Sequence, residues 1–193
     1  MIIRKLYEFE NAHIVRLCGS KRCRTSIHGH SYRCEILLSS NFLDEAGMVY
    51  DFGYMKLGIR ELIDSFDHAT TIYARDDASY IADLKKHSAR WVQIPLNPSA
   101  EQFCRIFFVL VDRLLSLTQM QNGEREVKLH SVIVHETVTG YAQCFREDAY
   151  NAQMGEIALD EIEFSPAVRE EWRQPELWQK LLRGEKIIYP KDC

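Results

Sequence analysis

The amino-acid sequence predicts an α+β domain with a C-terminal extension. Apolar residues alternate with period 2 in stretches near the start and again after residue 127, while the stretches between them follow the helical period. The resulting order is ββ(β)α…αββ. After about residue 146 the texture becomes acidic and turn-rich, which divides the chain into a domain over 1–146 and an extension over 147–193.

Ile3, Tyr7 and Phe9 share one parity in residues 2–10, with mostly polar or charged residues on the other, so the stretch reads as a strand. His13 continues that parity if the strand runs so far. Residues 14–26 read as a polar loop. His28, His30, Tyr32, Cys34, Ile36 and Leu38 then share one face of a second strand, which Ser39-Ser40-Asn41 ends, and Met48 to Phe52 reads as a short third. Met55, Ile59, Leu62, Ile63 and Phe66 form the apolar stripe of a helix closing near Asp67-His68. A short helix is expected over 78–87. Ser99 followed by Gln102 is a capping-box pattern opening a helix that buries Phe103, Phe107, Leu110, Val111 and Leu114. Asn122-Gly123 is a turn, 128–137 a strand with Val132, Val134 and Glu136 on one face, and 140–146 one more. In the extension, Ser165-Pro166 reads as an N-cap followed by proline at the first helical position, and a further helix is expected to stop at Gly184. Trp172, Trp178 and Tyr189 give the extension apolar surface to bury against the domain.

A chain of 193 residues, 46% hydrophobic and 27% charged, can bury a core without disulfides or a structural metal. The N-terminus lacks the apolar segment of a signal peptide, and no run approaches a membrane span. Six scattered cysteines (18, 23, 34, 104, 144, 193) then read as reduced thiols, and the expected location is cytoplasmic. Residues 1–145 carry 17 basic and 17 acidic residues and 146–193 carry 7 and 11, so the net charge of −4 sits in the extension. An acidic chain without a nucleic-acid-binding motif argues against a nucleic-acid partner. Between Asn11 and Cys34, however, Arg16, Lys21, Arg22, Arg24 and Arg33 occur with no acid, a charge pattern suited to a phosphate ester.

The chemistry centres on His28-Gly29-His30. Two histidines at i and i+2 on a strand face the same side, and with His13 they make a three-imidazole set of the kind that holds catalytic zinc with one position open. A closed structural zinc on Cys18, Cys23, His28 and His30 is the other arrangement these residues allow. Cys23, flanked by Lys21, Arg22 and Arg24, has the cationic neighbours that favour thiolate and make a usable base. Asp67-His68 reads as a helix end, Glu136 as a strand carboxylate that needs a partner or ligand, and His87, His130 and His135 as surface. Cys34, Cys104 and Cys144 read as small core residues.

Six segments occur in order: Phe9-Glu10-Asn11-Ala12-His13; Cys23 before His28-Gly29-His30-Ser31-Tyr32; Gly47-Met48-Val49-Tyr50-Asp51-Phe52; Phe66-Asp67-His68; Asn97-Pro98-Ser99-Ala100-Glu101; and Val134-His135-Glu136-Thr137. Together they resemble the 6-pyruvoyltetrahydropterin synthase / 6-carboxytetrahydropterin synthase family, and the bacterial carboxy-type enzymes most closely. The resemblance implies a tunnelling fold: a four-stranded antiparallel sheet with two helices on one face, forming barrels in a homohexamer built as a dimer of trimers. It implies Zn2+ on His13, His28 and His30, Cys23 as general base, Asp67 with His68 as proton relay from a neighbouring subunit, and Glu136 as the anchor of the pterin ring. The implied substrate is 7,8-dihydroneopterin triphosphate, converted to 6-carboxytetrahydropterin, acetaldehyde and triphosphate on the way to queuosine. Arg16, Lys21, Arg22 or Arg24 would meet the triphosphate. Pyruvoyl-type triphosphate elimination and a non-catalytic pterin-binding module are the alternatives. The segment between Asp67-His68 and Asn97 is longer than in the compact members, the tail from about 147 has no counterpart in them, and the cysteine-to-HGH spacing matches neither branch.

Overall fold

A computed structural model of the chain describes residues 1–189; Cys193 lies outside the described residues. One long hairpin organises it. Strands β1 (Ile2–His13) and β2 (His28–Ser39) pair antiparallel along their full length, so that His13 lies opposite His28 and Asn11 opposite His30. β5 (Lys128–His135) pairs antiparallel with β2, and β6 (Tyr141–Cys144) with β5. These are the four expected antiparallel strands. The sheet is larger than expected, because β3 (Ala69–Tyr73), β4 (Trp91–Ile94) and β7 (Glu163–Phe164) extend it to seven strands in the order β6-β5-β2-β1-β3-β4-β7. β3 runs parallel to both β1 and β4, while β7 closes the sheet antiparallel to β4, so the longer segment between His68 and Asn97 is a β-α-β insertion around α3 (Ala78–His87).

The inner face of the sheet carries Tyr7, Phe9, Tyr32, Cys34, Ile36, Leu38, Val132 and Val134, all buried against α2 (Gly58–Asp64) and α4 (Ala100–Leu117). Phe9 stacks on Tyr32 with ring centroids 4.9 Å apart and meets Phe66, Phe103 and Phe107 edge-on, a geometry that suits aromatic quadrupoles. Ser99 caps α4 by accepting from the Gln102 N–H, but the Gln102 side chain goes to Met154 and Arg105, so the reciprocal half of the box does not form.

Three expectations are corrected. Residues 48–52 form no strand: Asp44 Oδ1 accepts from the N–H groups of Ala46 and Met48, and Asp51 Oδ1 from that of Gly53, side-chain bonds that compete with a ladder. The stripe from Met55 to Phe66 is buried throughout, yet it is a 3-10 turn (Tyr54–Lys56), a break at Leu57 and the seven-residue α2. Gly58 opens α2 because a Cβ there would overlap the Tyr189 hydroxyl. The loop after β1 also contains a short helix, α1 (Lys21–Thr25).

Beyond residue 146, α5 (Arg146–Ala149), α6 (Pro166–Glu170) and α7 (Leu177–Arg183) follow, with Ser165 capping α6 and Gly184 ending α7 in the left-handed conformation. Phe164, Trp172, Trp178, Leu181 and Tyr189 are buried in the same core as the sheet. Among the described residues, no helix is long and apolar enough to cross a membrane.

Candidate active site

His13, His28 and His30 converge where β1 and β2 leave the core, and their ligand atoms lie within 4.8 Å of one another. They are the only group among the described residues that could hold a metal in this way, so the four-ligand set with Cys18 and Cys23 does not form. Strand parity explains the convergence: Phe9, Asn11 and His13 point inward from β1, as His28, His30 and Tyr32 do from β2. Gly29, between His28 and His30, passes so close to β1 that a Cβ would stand 2.9 Å from the Asn11 carbonyl oxygen.

Backbone carbonyls set the imidazoles. His13 Nδ1 lies 2.6 Å from the Pro98 oxygen and His28 Nδ1 3.0 Å from the Ser26 oxygen. A carbonyl only accepts, so each Nδ1 carries the proton and each Nε2 keeps its lone pair for a metal. His13 is fully buried, and burial, reinforced by the facing His28 and His30, pushes its pKa down to about 4. It therefore stays neutral across the physiological range, the form in which an imidazole can hold a metal. Glu136 Oε1 stands 3.9 Å from both His13 Nε2 and His30 Nε2 and accepts a 3.2 Å hydrogen bond from the buried Tyr32 hydroxyl, which is how this carboxylate is held near the core. The residue types, the shared face and the freed Nε2 atoms fit a divalent ion of the zinc kind.

A cleft of about 400 Å³ opens beside the triad, lined by Cys18, Cys23, His28, His30, Glu101 and Glu136 among others. Cys23 is a half-buried free thiol on its wall. Arg16 and Arg24 are committed elsewhere. Arg16 pairs with Asp76 at 2.8 Å and lies over the Tyr80 ring, and Arg24 donates to the Cys18 and Gly19 carbonyls. Lys21 and Arg22 are exposed on α1 and make no side-chain hydrogen bond or ion pair with the described residues.

Asp67 and His68 do not join the triad of their own chain. His68 borders a second cleft, about 360 Å³, lined by Glu10, Gly29, Ser31 and Thr70, residues of the other sheet face, together with the edge of His30. His68 Nδ1 lies 3.0 Å from Asp67 Oδ2, its side chain is 75% exposed, and its φ is +51°. A left-handed non-glycine residue costs about 1–2 kcal/mol, so the turn is held from outside. Asn11, Asn97 and the Pro98 carbonyl are parts of the site that sequence reasoning had not assigned. Asn97 exchanges hydrogen bonds with the backbone of Arg16 and so fixes the loop that follows His13. His135, expected at the surface, is half-buried and paired with Glu35 at 2.8 Å.

Residues 2–147 match the family model for 6-pyruvoyl tetrahydropterin synthase. The chain belongs to this family. It is accordingly a lyase. A 6-carboxy-5,6,7,8-tetrahydropterin synthase of Helicobacter pylori is 35% identical over 190 residues, covering 98% of this chain and 95% of that protein. The protein of the same name from Aquifex aeolicus is 29% identical over 61% of this chain and 73% of its own length. Among solved structures, an uncharacterized protein from Wolinella succinogenes superposes with a TM-score of 0.59 at 20% identity, covering 76% of this chain and 98% of that one. The Caenorhabditis elegans 6-pyruvoyl tetrahydropterin synthase does so with 0.53 at 19%, covering 75% and 94%. The family's tunnelling fold is thus present, enlarged by the insertion and the tail. The Helicobacter relative spans both, so neither addition is peculiar to this chain.

Proposed function

We propose that the chain converts 7,8-dihydroneopterin triphosphate to 6-carboxy-5,6,7,8-tetrahydropterin, acetaldehyde and triphosphate, a step toward queuosine, with zinc on His13, His28 and His30. The observation that carries the reading is the three-imidazole set, with the His13 and His28 tautomers pinned by backbone carbonyls, beside a thiol and a carboxylate, in a chain similar over its length to proteins bearing that name. Residues 1–146 hold this chemistry, and 147–193 form an extension whose described residues complete the core.

The chemistry supplied by zinc at such a site is Lewis acidity, which acidifies hydroxyl groups of the substrate. Cys23, with Arg22 and Arg24 on either side, takes the proton from the substrate side chain as general base. Glu136 accepts from the amino and ring N–H groups of the pterin and fixes its orientation. Lys21 and Arg22 offer the unpaired cations for the triphosphate. Asp67 and His68 return a proton, and because they face away from their own triad they serve a neighbouring copy's cleft.

The sheet supports that assembly. β1 pairs with β3 only at Asn11 and Ala12, so residues 2–9 have no strand partner on that edge among the described residues, and β6 is the sheet's other open edge near the site. Open edges are templates for pairing. Joining one copy's β1 to the next copy's β6 gives the barrel of a trimer, and two trimers give the homohexamer.

Anaerobic incubation of the metal-assayed protein with 7,8-dihydroneopterin triphosphate, with products read by mass, tests the proposal. Acetaldehyde and the 6-carboxy product are expected, and Cys23→Ala is expected to lower turnover about 10²–10⁴-fold while keeping pterin binding. A 6-pyruvoyl product assigns the other branch. No product despite one zinc per chain and bound pterin overturns catalysis in favour of a binding module.

A further inference from the structure

We infer that Asn11 is a positioning residue for the Asp67–His68 pair; the inference rests on the relay role proposed for that pair. Asn11 lies two residues before His13 on the same face of β1 and is 4% exposed. Its Nδ2 donates to the Phe66 carbonyl at 2.8 Å and to the Ala69 carbonyl at 2.9 Å, and its Oδ1 accepts from Thr71 Oγ1 at 2.9 Å. Phe66 and Ala69 are the residues on either side of Asp67 and His68. One buried amide therefore ties both ends of the turn that presents the pair.

The neighbouring contacts do different work. The Glu10 N–H donates to Asp67 Oδ1 at 2.7 Å, which leaves Oδ2 for His68 Nδ1 at 3.0 Å. Arg90 donates to the Asp67 and Asp64 carbonyls, both at 3.0 Å, and so holds the N-terminal half of the turn. Among the described side chains, Asn11 alone bonds the backbone on both sides of His68. That matters because the His68 ring is largely in solvent, where packing does not aim it. Its direction comes from a left-handed backbone, a conformation that persists only where its surroundings over-determine it. Two N–H donors and one acceptor on a short stem match the available partners. An aspartate of the same shape would turn oxygen toward two carbonyl oxygens. One strand thus carries a metal ligand of its own site and the clamp of a pair that works in another.

The test uses the zinc-loaded full chain and a mutant cycle. Asn11→Ala is expected to lower kcat about 10–100-fold through misplacement, with KM and zinc content unchanged. His68→Ala lowers kcat at least as far, and Asn11→Ala combined with His68→Ala falls no further than His68→Ala alone, as for groups acting through one another. In the metal-free chain, amide exchange at residues 66–71 is expected to quicken about tenfold in Asn11→Ala while exchange in α4 stays as it was. Multiplying losses in the cycle, or wild-type kcat in Asn11→Ala while His68→Ala is slow, overturns the inference and leaves the relay standing. Full kcat in His68→Ala overturns the relay, and the inference with it. Should Asn11→Ala fail to fold, Asn11→Ser keeps one donor for the turn, and its smaller loss must likewise vanish in the His68→Ala background.

Discussion

Gly29→Ala is expected to weaken metal binding without touching a ligand. The added Cβ would stand 2.9 Å from the Asn11 carbonyl oxygen, where ordinary contact begins at 3.4 Å, so β1 and β2 must part by roughly 0.5 Å at the Ala12–Gly29 pair. That displacement falls between the His13–His28 and Asn11–His30 pairs, and 0.5 Å is about the tolerance of a preorganised site. Disturbing the supports of metal ligands lowers affinity about 10–100-fold, or about 1.4–2.7 kcal/mol. Overpacking costs about 1–3 kcal/mol of stability, which for a chain of this size lowers Tm by about 2–12 °C. Competition for zinc against a fluorescent chelator reads the first quantity, and thermal melts of the metal-free protein read the second. Zinc affinity within twofold of wild type would refute the argument that close strand approach is what permits glycine alone between the histidines.

Reversing Lys21 and Arg22 together to glutamate should raise KM about 10–100-fold, the scale of losing charge-assisted phosphate contacts, with zinc content intact; an unchanged KM would assign the triphosphate to other cations. Burial raises the Glu61 carboxyl above its ordinary range and outweighs the backbone N–H groups of Arg173 and Gln174 and the Arg173 charge, while Oε2 has no hydrogen-bond partner among the described residues. The folded chain then holds that proton more tightly than the unfolded one, and stability falls as pH rises through the folded value. Glu61→Gln should therefore melt with wild type near about pH 4 and above it near about pH 8; an equal gap at both would remove the explanation. Trp172→Ala deletes a ring that packs edge-on against Phe164 and donates from Nε1 to Ser65 Oγ at 2.9 Å. It should cost about 3–5 kcal/mol, and calorimetry showing a loss under about 1 kcal/mol would mean the tail contributes little to the core.

What the sequence disclosed follows from which signals are local. The His28-to-Leu38 alternation is legible because one face of β2 is buried and period 2 records it. Ser99 and Gly184 announce helix ends because caps depend on one residue's chemistry. β3 and β4 are short, and every position in them is buried or half-buried, so no alternation marks them. Residues 48–52 look like a strand because Val49 and Tyr50 are buried, but the Asp44 and Asp51 side chains take the Met48 and Gly53 N–H groups at either end into turns. In the site, the triad and Glu136 could be read from strand parity. The supports could not, because the Pro98 and Ser26 carbonyls belong to backbone, and Asn11 meets partners 55 and 58 residues away.

Arg90, which grips the Asp67 turn, is itself paired with Glu171, and Ser65 at the end of α2 bonds Trp172, 107 positions further along the chain. During synthesis the three histidines and most of the hairpin that gathers them leave the ribosome early, whereas the turn waits for residues made much later. A nascent chain thus holds the three proposed metal ligands, and the Pro98 carbonyl that sets His13, before the residues that brace the turn proposed to carry the proton have been made.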